Sequence, residues 1–223
     1  MARSRRYRLL CPIARALDRI GDRWTLLILR DLHAGPARFS DLQKGLVEIA
    51  TNLLADRLRQ LIDDELVVKR GGEYGVTLYA LTELGDRTRD LLFELGLFGG
   101  RFQPDEEPRH PGNLRTIAVT LSTACQRVVT PESAFEAELN IDGELFTLAV
   151  RDSMVEMRYT PAKSPDVVMT TSYEPMIAAS EGEMSMDQFL RNHVQIITHT
   201  PGKDAELMTL LGAAMTLFAR ERE

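Results

Sequence analysis

The chain has 223 residues, of which 44% are hydrophobic and 27% charged, with a formal net charge of −6. This composition is ordinary for a soluble globular protein of one large domain or two of roughly 100 residues each. No stretch approaches the ~20 apolar residues of a membrane span. The basic-then-apolar start is interrupted by Arg15, Asp18 and Arg19, which argues against a secretion signal and for a cytoplasmic location.

The first half reads as mostly helical. Pro12 stands where a helix can start, Ile13, Leu17 and Ile20 follow helical spacing, and Gly21 ends the segment. Asp22 is placed to cap the next helix, whose core side reads as Trp24, Leu27 and Leu29, and Gly35-Pro36 stops it. Ser40 with Gln43 matches a capping box and predicts a short helix, SDLQKGL. The stretch 51–82 is the most informative. Leu54, Leu58, Leu61 and Ile62 fall at i, i+4, i+7 and i+8, which makes one face of a helix apolar. Asn52, Asp56, Arg59 and Gln60 lie opposite. Two short β runs joined at Gly71-Gly72 follow, and then an amphipathic helix from Thr82 to about Leu97.

The run QPDEEPRHPG, Gln103 to Gly112, has three prolines and no apolar core residue, and reads as a linker. Beyond it the period changes to two. Phe135, Ala137, Leu139 and Ile141 alternate, Asp142-Gly143 is a hairpin signal, and Phe146, Leu148 and Val150 alternate on the return. Further strands are expected around Val155–Tyr159, Val167–Thr171 and VQIITHT. Short helices are expected at Glu174–Ser180 and Ser185–Arg191, with a closing helix from Asp204 to Arg220. The fold class is therefore α+β, with residues 1–102 as one domain, 103–112 as linker and 113–223 as a second domain.

Charge follows the same division. Residues 1–72 hold 14 basic against 9 acidic side chains, and residues 73–223 hold 13 against 24. A basic part joined to an acidic part suggests nucleic acid as partner of the first and another task for the second. A helix with a polar face followed by a hairpin is the layout of a winged helix-turn-helix, in which one helix lies in the major groove. Thr51 and Asn52 suit base edges, and asparagine can pair bidentately with adenine. Arg57 and Arg59 suit phosphates, as do Arg38 and Ser40 at the mouth of the preceding helix, while Lys69 and Arg70 are expected at the hairpin tip. Asp56 is discordant unless it meets a cytosine amino group or an arginine.

The stretch CPIARALDRIGDRWTLLILRDLHAGPARFSDLQKGL, followed by LADRLRQLIDDELV and YALTELG, resembles the HxlR-type winged-helix regulators over roughly residues 8–100. The resemblance implies a homodimer formed by the first and last helices of the domain. It also implies binding of double-stranded DNA at two half-sites about one helical turn, ~34 Å, apart. An equivalent of Cys11 senses oxidants or electrophiles in several members. Here Cys11 sits before Pro12 with Arg8 and Arg15 nearby, which favours thiolate; the alternative, a small buried apolar residue, is preferred.

Eight of the nine methionines, Met154, Met157, Met169, Met176, Met184, Met186, Met208 and Met215, lie beyond residue 150. Methionine suits surfaces that adapt to varied apolar partners, and equally fills gaps in ordinary cores. The element order NIDGELFTLAV, PDVVMTTS, G-x-M-S-M-D-Q-F, a strand and a final amphipathic helix resembles the sterol-carrier-protein fold over about residues 115–220. That resemblance implies an apolar small-molecule ligand, for which Met169, Met186, Phe189, Met208, Leu211 and Met215 are the candidate pocket. His193 and His199 are poorly spaced for a metal on a strand. The two distant cysteines, Cys11 and Cys125, give neither disulfide framework nor zinc pattern. No nucleophile elbow, P-loop or dinucleotide fingerprint occurs, so no enzyme, cofactor or metal is expected. The leading expectation is a dimeric transcription regulator with an apolar-ligand sensor. The alternative is a lipid-binding or protein-interaction module that uses the winged helix as scaffold.

Overall fold

The computed structural model describes residues 7–102 and 114–220. The predicted linker Gln103–Gly112, and with it the boundary between the two predicted domains, falls outside them. The first part comprises α1 (Pro12–Ile20), α2 (Thr25–Leu32), α3 (Phe39–Gly45), α4 (Thr51–Asp63), a hairpin of β1 (Val67–Gly71) and β2 (Thr77–Leu81), α5 (Glu83–Asp86) and α6 (Arg89–Gly99). Its core is built from Ile28, Leu29 and Leu32 of α2, Leu42 of α3, and Leu54, Leu58 and Leu61 of α4. The leucine periodicity of α4 thus does what its spacing predicts. The core side of α2 is different from the predicted one: Thr25, Ile28, Leu29 and Leu32 are buried, while Trp24 and Leu27 are only half-buried. In an all-apolar run such as TLLIL the period cannot choose the face.

Helix starts also differ from expectation. The cap of α3 is Arg38, whose backbone N–H donates to the Asp41 carboxylate at 3.1 Å, so Ser40 lies inside the helix and makes no capping box with Gln43. The predicted single helix from Thr82 onward is two. Thr82 caps α5 by accepting from the Gly85 N–H at 3.0 Å, and the chain turns again at Arg87-Thr88 before α6. Gly85 lies within α5, before the interruption. A Cβ there would lie 2.0 Å from the Leu66 carbonyl oxygen, so α5 abuts the start of β1 at a point only glycine allows.

The second part is a five-stranded sheet in the order β5-β4-β3-β6-β7, from β3 (Phe135–Ile141), β4 (Glu144–Arg151), β5 (Met154–Arg158), β6 (Val167–Thr171) and β7 (Gln195–Thr198). β3 and β6 are parallel, and the remaining pairs are antiparallel. In β3 burial alternates strictly, as the sequence period requires. Four helices accompany the sheet: α7 (Thr116–Val128), α8 (Tyr173–Ser180), α9 (Met186–His193) and α10 (Lys203–Arg220). Ser185 caps α9 in a reciprocal box with Gln188.

No period signalled α7. Ile117, Ala118, Val119, Leu121, Ser122, Thr123, Ala124 and Cys125 are all buried and only Arg127 is exposed, so there is no wet stripe to set up a period. Its hydroxyls turn back on its own backbone, with Thr123 Oγ1 donating to the Val119 carbonyl at 2.6 Å. The helix joins the two cores. Val119 belongs to the first, and Ile117, Leu121 and Ala124 belong to the second, together with Phe93 and Leu97 of α6. Arg115, just before α7, is buried and donates through Nε to the Asp31 carbonyl at 3.0 Å, and through Nη2 to the Gly35 carbonyl. Its guanidinium also stacks 5.1 Å from the Tyr159 ring centre, and the Tyr159 N–H donates to the Ala34 carbonyl at 2.8 Å. The turn after α2 is thus held from the sheet side.

Candidate nucleic-acid interface and apolar cavity

With Leu54, Leu58 and Leu61 buried, α4 shows solvent a stripe of Thr51, Asn52, Asp56, Arg59 and Gln60. Ala50 is its cap and contributes no side-chain bond, so Thr51 is the first helical residue and does not cap. The Thr51 hydroxyl instead accepts from Gln43 Nε2 at 2.6 Å, which ties the start of α4 to α3. Asn52 is exposed, with its Oδ1 3.0 Å from the Leu53 N–H. The discordant Asp56 has its arginine. Arg59 Nη1 donates to it at 2.7 Å in an exposed pair. Such a pair is worth about 0–1 kcal/mol, so a phosphate competes readily for Arg59.

Arg57 is not in this stripe. Its guanidinium is about four-fifths covered, and donates to Asp22 Oδ2 and to Gln60 Oε1, both at 2.7 Å. It braces α4 against the entry to α2, where Asp22 also accepts from the Trp24 N–H at 3.0 Å. Of the two arginines expected to face phosphates, Arg59 is exposed and Arg57 is mostly covered. Arg38 and Ser40 are exposed at the start of α3. So is Lys44, a basic residue in the last turn of that helix that sequence reasoning passed over.

The hairpin differs from expectation. Lys69 and Arg70 lie within β1, paired with Tyr79 and Leu78, not at its tip. The tip is a short 3-10 turn, Glu73–Gly75, that puts an acidic side chain outermost. Adjacent strand residues point to opposite faces, so Lys69 and Arg70 cannot serve one surface together. Lys69 lies over the Tyr79 ring at 5.8 Å.

A family model for HxlR-like helix-turn-helix proteins matches residues 19–107. The HTH-type transcriptional regulator YodB of Bacillus subtilis is 31% identical over 96 residues, which span 42% of this chain and 86% of YodB. The chain belongs to the HxlR-like helix-turn-helix family. A second regulator of that organism, YvaP, is 34% identical over 90 residues, covering 39% of this chain and 82% of its own. The Mycobacterium bovis regulator Mb3122 is 35% identical over 97 residues, 43% of this chain and 61% of its own. Among solved structures, quinone-bound YodB is 31% identical over 42% of this chain and 100% of that one, with a TM-score of 0.37. For the HxlR-type part, the winged helix-turn-helix reading of the first hundred or so residues is thus shown, and its matched relatives are transcriptional regulators.

Within the HxlR-type part, His33 carries no motif or spacing that would single it out. It is buried, and its Nε2 lies 3.0 Å from Thr88 Oγ1, tying the end of α2 to the α5–α6 break. Burial, aided by the Arg89 charge and opposed by Asp86, lowers its pKa to about 4. It is therefore neutral near pH 7. Cys11 is the half-exposed cap residue of α1, and Cys125 is fully buried in α7, its thiol pushed up to about 12 by burial. Both are free thiols.

In the second part the structure brings all six expected pocket residues together. Met169, Met186, Phe189, Met208, Leu211 and Met215 line one cavity of about 250 Å³ between the sheet and α7–α10. Gly96 of α6 forms part of its wall, so the cavity borders the HxlR-type part directly. His193 ends α9 and His199 follows β7. No group of residues able to hold a metal ion occurs among the described residues. No helix there is long and apolar enough to cross a membrane.

Proposed function

We propose that this chain is a homodimeric, sequence-specific DNA-binding regulator, with residues 1–102 as its DNA-binding domain. The observation that carries the reading is the α4 stripe: apolar residues inward, and Thr51, Asn52 and Arg59 outward on a helix of winged helix-turn-helix context. Asn52 and Thr51 read base edges, Arg59, Arg38, Ser40 and Lys44 meet phosphates, and Lys69 or Arg70 touches the backbone from the flank of the hairpin. The dimer reading is supported by exposed apolar side chains on the first and last helices. Ile13 (71% exposed) and Leu17 on α1 accompany Leu91, Leu95 and Phe98 (61%) on α6. Residues 113–223 act in this reading as a sterol-carrier-like sensor of an apolar molecule held in the methionine-lined cavity. Occupancy bears on α6 through Gly96, and so on the spacing of the two α4 helices. Cys11 as a thiol sensor is the second route, and Cys11→Ala separates it: an unchanged response to oxidants leaves the cavity as the signal site.

The test is sequencing of genomic DNA recovered with the protein. Recovery of an inverted repeat with half-site centres about 34 Å apart supports the reading. Recovery of unrelated fragments, together with transfer of lipid between vesicles, supports the alternative of a lipid-carrying module on a winged-helix scaffold.

A further inference from the structure

The cavity's size and lining say what kind of molecule fits, given the sensor reading above on which this inference rests. An apolar cavity of roughly 150 Å³ in a protein core holds one benzene ring. At about 250 Å³, this one has room for a molecule of roughly ten non-hydrogen atoms. A sterol or a long acyl chain is far larger. No Lys, Arg or His lines the cavity, and the charge on its lining is that of Glu181, which is exposed at the edge. A carboxylate or phosphate would therefore lose its hydration and find no cation in the lining. Polar groups do stand in the wall. The Thr120 and Ser180 hydroxyls donate to the Ile117 and Ile177 carbonyls of their own helices, at 3.1 and 2.8 Å, while Thr116 and Tyr173 line the cavity half-buried. The methionine walls adapt to shape and leave ring geometry open.

We propose that the cavity binds one small, uncharged, mostly apolar molecule of fused-ring size, with a single hydrogen-bonding group that meets Tyr173, and that it refuses sterols and fatty acids. Gly212 of α10 provides the control. It lines the cavity, and a Cβ built there meets nothing within 4 Å, so a larger side chain enters open space without a clash at the backbone. Glycine is also a poor helix residue, so replacing it does not endanger the fold.

The experiment is isothermal titration of the full chain with naphthalen-1-ol, naphthalene-1-carboxylate, oleate and cholesterol. Thermal melts accompany it to show that each variant is folded. Naphthalen-1-ol is expected to bind one per chain. Gly212→Leu is expected to weaken it by about tenfold or more, and Gly212→Ala by no more than about threefold. The carboxylate is expected to bind about tenfold more weakly than the alcohol. Tyr173→Phe is expected to weaken the alcohol alone. One-to-one binding of cholesterol or oleate that Gly212→Leu abolishes would overturn the proposed ligand class and leave the sensor reading standing. Binding of every probe unchanged by Gly212→Leu would overturn the sensor reading itself.

Discussion

Helices α4 and α7 have the same length, 13 residues each, and opposite lives. α4 buries one leucine face and keeps a polar stripe free, so its substitutions divide into those that disturb the fold and those that disturb a partner. α7 is enclosed by α2, α6, the sheet and α10, and nearly every side chain on it is a packing residue. The stripe is where function can vary without cost to folding. The enclosed helix carries residues of both cores.

The largest expected effect breaks the comparison at α7. Ala118 is fully buried, and Ala118→Asp places an unpaired charge in the joint between the cores. A loss of roughly 3–5 kcal/mol is expected in denaturant unfolding. A loss below about 1 kcal/mol would mean that α7 is not enclosed as described.

Why α7 escaped sequence reading while α4 did not is a matter of surroundings. Periodicity reports contrast between wet and dry faces, and TIAVTLSTACQRV offers little, because Arg127 is its only exposed residue. The alternation of β3 was legible for the opposite reason, since Phe135, Ala137 and Leu139 face a core and their neighbours are less buried, whereas β4 buries Phe146 to Val150 without a break. The close approach of Gly85 to Leu66, nineteen residues away in the chain, left no mark on the sequence period. On the candidate interface, the exposure of Thr51, Asn52 and Arg59 followed from one helical stripe. The covering of Arg57 did not, because its partner, Asp22, lies 35 residues earlier. The pocket residues were legible as a group because their chemistry, five sulfur or aromatic side chains and a leucine, was unusual in one segment.

His33 sharpens the comparison on the α4 side, where α2 meets α5 and α6. Its pKa is lowered from 6.5 in the unfolded chain to about 4 in the fold, so the unfolded state binds the extra proton between those values. Its contribution is complete above pH 6.5 and falls away as pH drops toward 4, by roughly 3 kcal/mol in all. His33→Gln should flatten that part of the stability profile. An unchanged slope in the variant would show that carboxylates alone carry it.

Arg115 tests the joint more gently. Arg115→Ala removes donors from the Asp31 and Gly35 carbonyls and is expected to cost about 2–3 kcal/mol by thermal unfolding. Wild-type stability in this variant would mean that the grip on the α2–α3 turn is incidental. Arg57→Ala is the smallest effect, about 1 kcal/mol of stability with DNA affinity reduced only in proportion. A large loss of DNA binding at unchanged stability would return Arg57 to the interface.

The central claim is that the α4 stripe reads DNA. Fluorescence anisotropy of the full chain on the duplex upstream of its own coding sequence, against a shuffled duplex, tests it with wild type and the Asn52→Ala variant side by side. Asn52 is exposed, so the two proteins should melt within about 0.5 kcal/mol of each other. The account predicts that wild type prefers the upstream duplex, that both affinities fall steeply with salt, and that Asn52→Ala loses about 1–3 kcal/mol of the preference while keeping the salt dependence. Equal binding of both duplexes by wild type, or an undiminished preference in the variant, would contradict it.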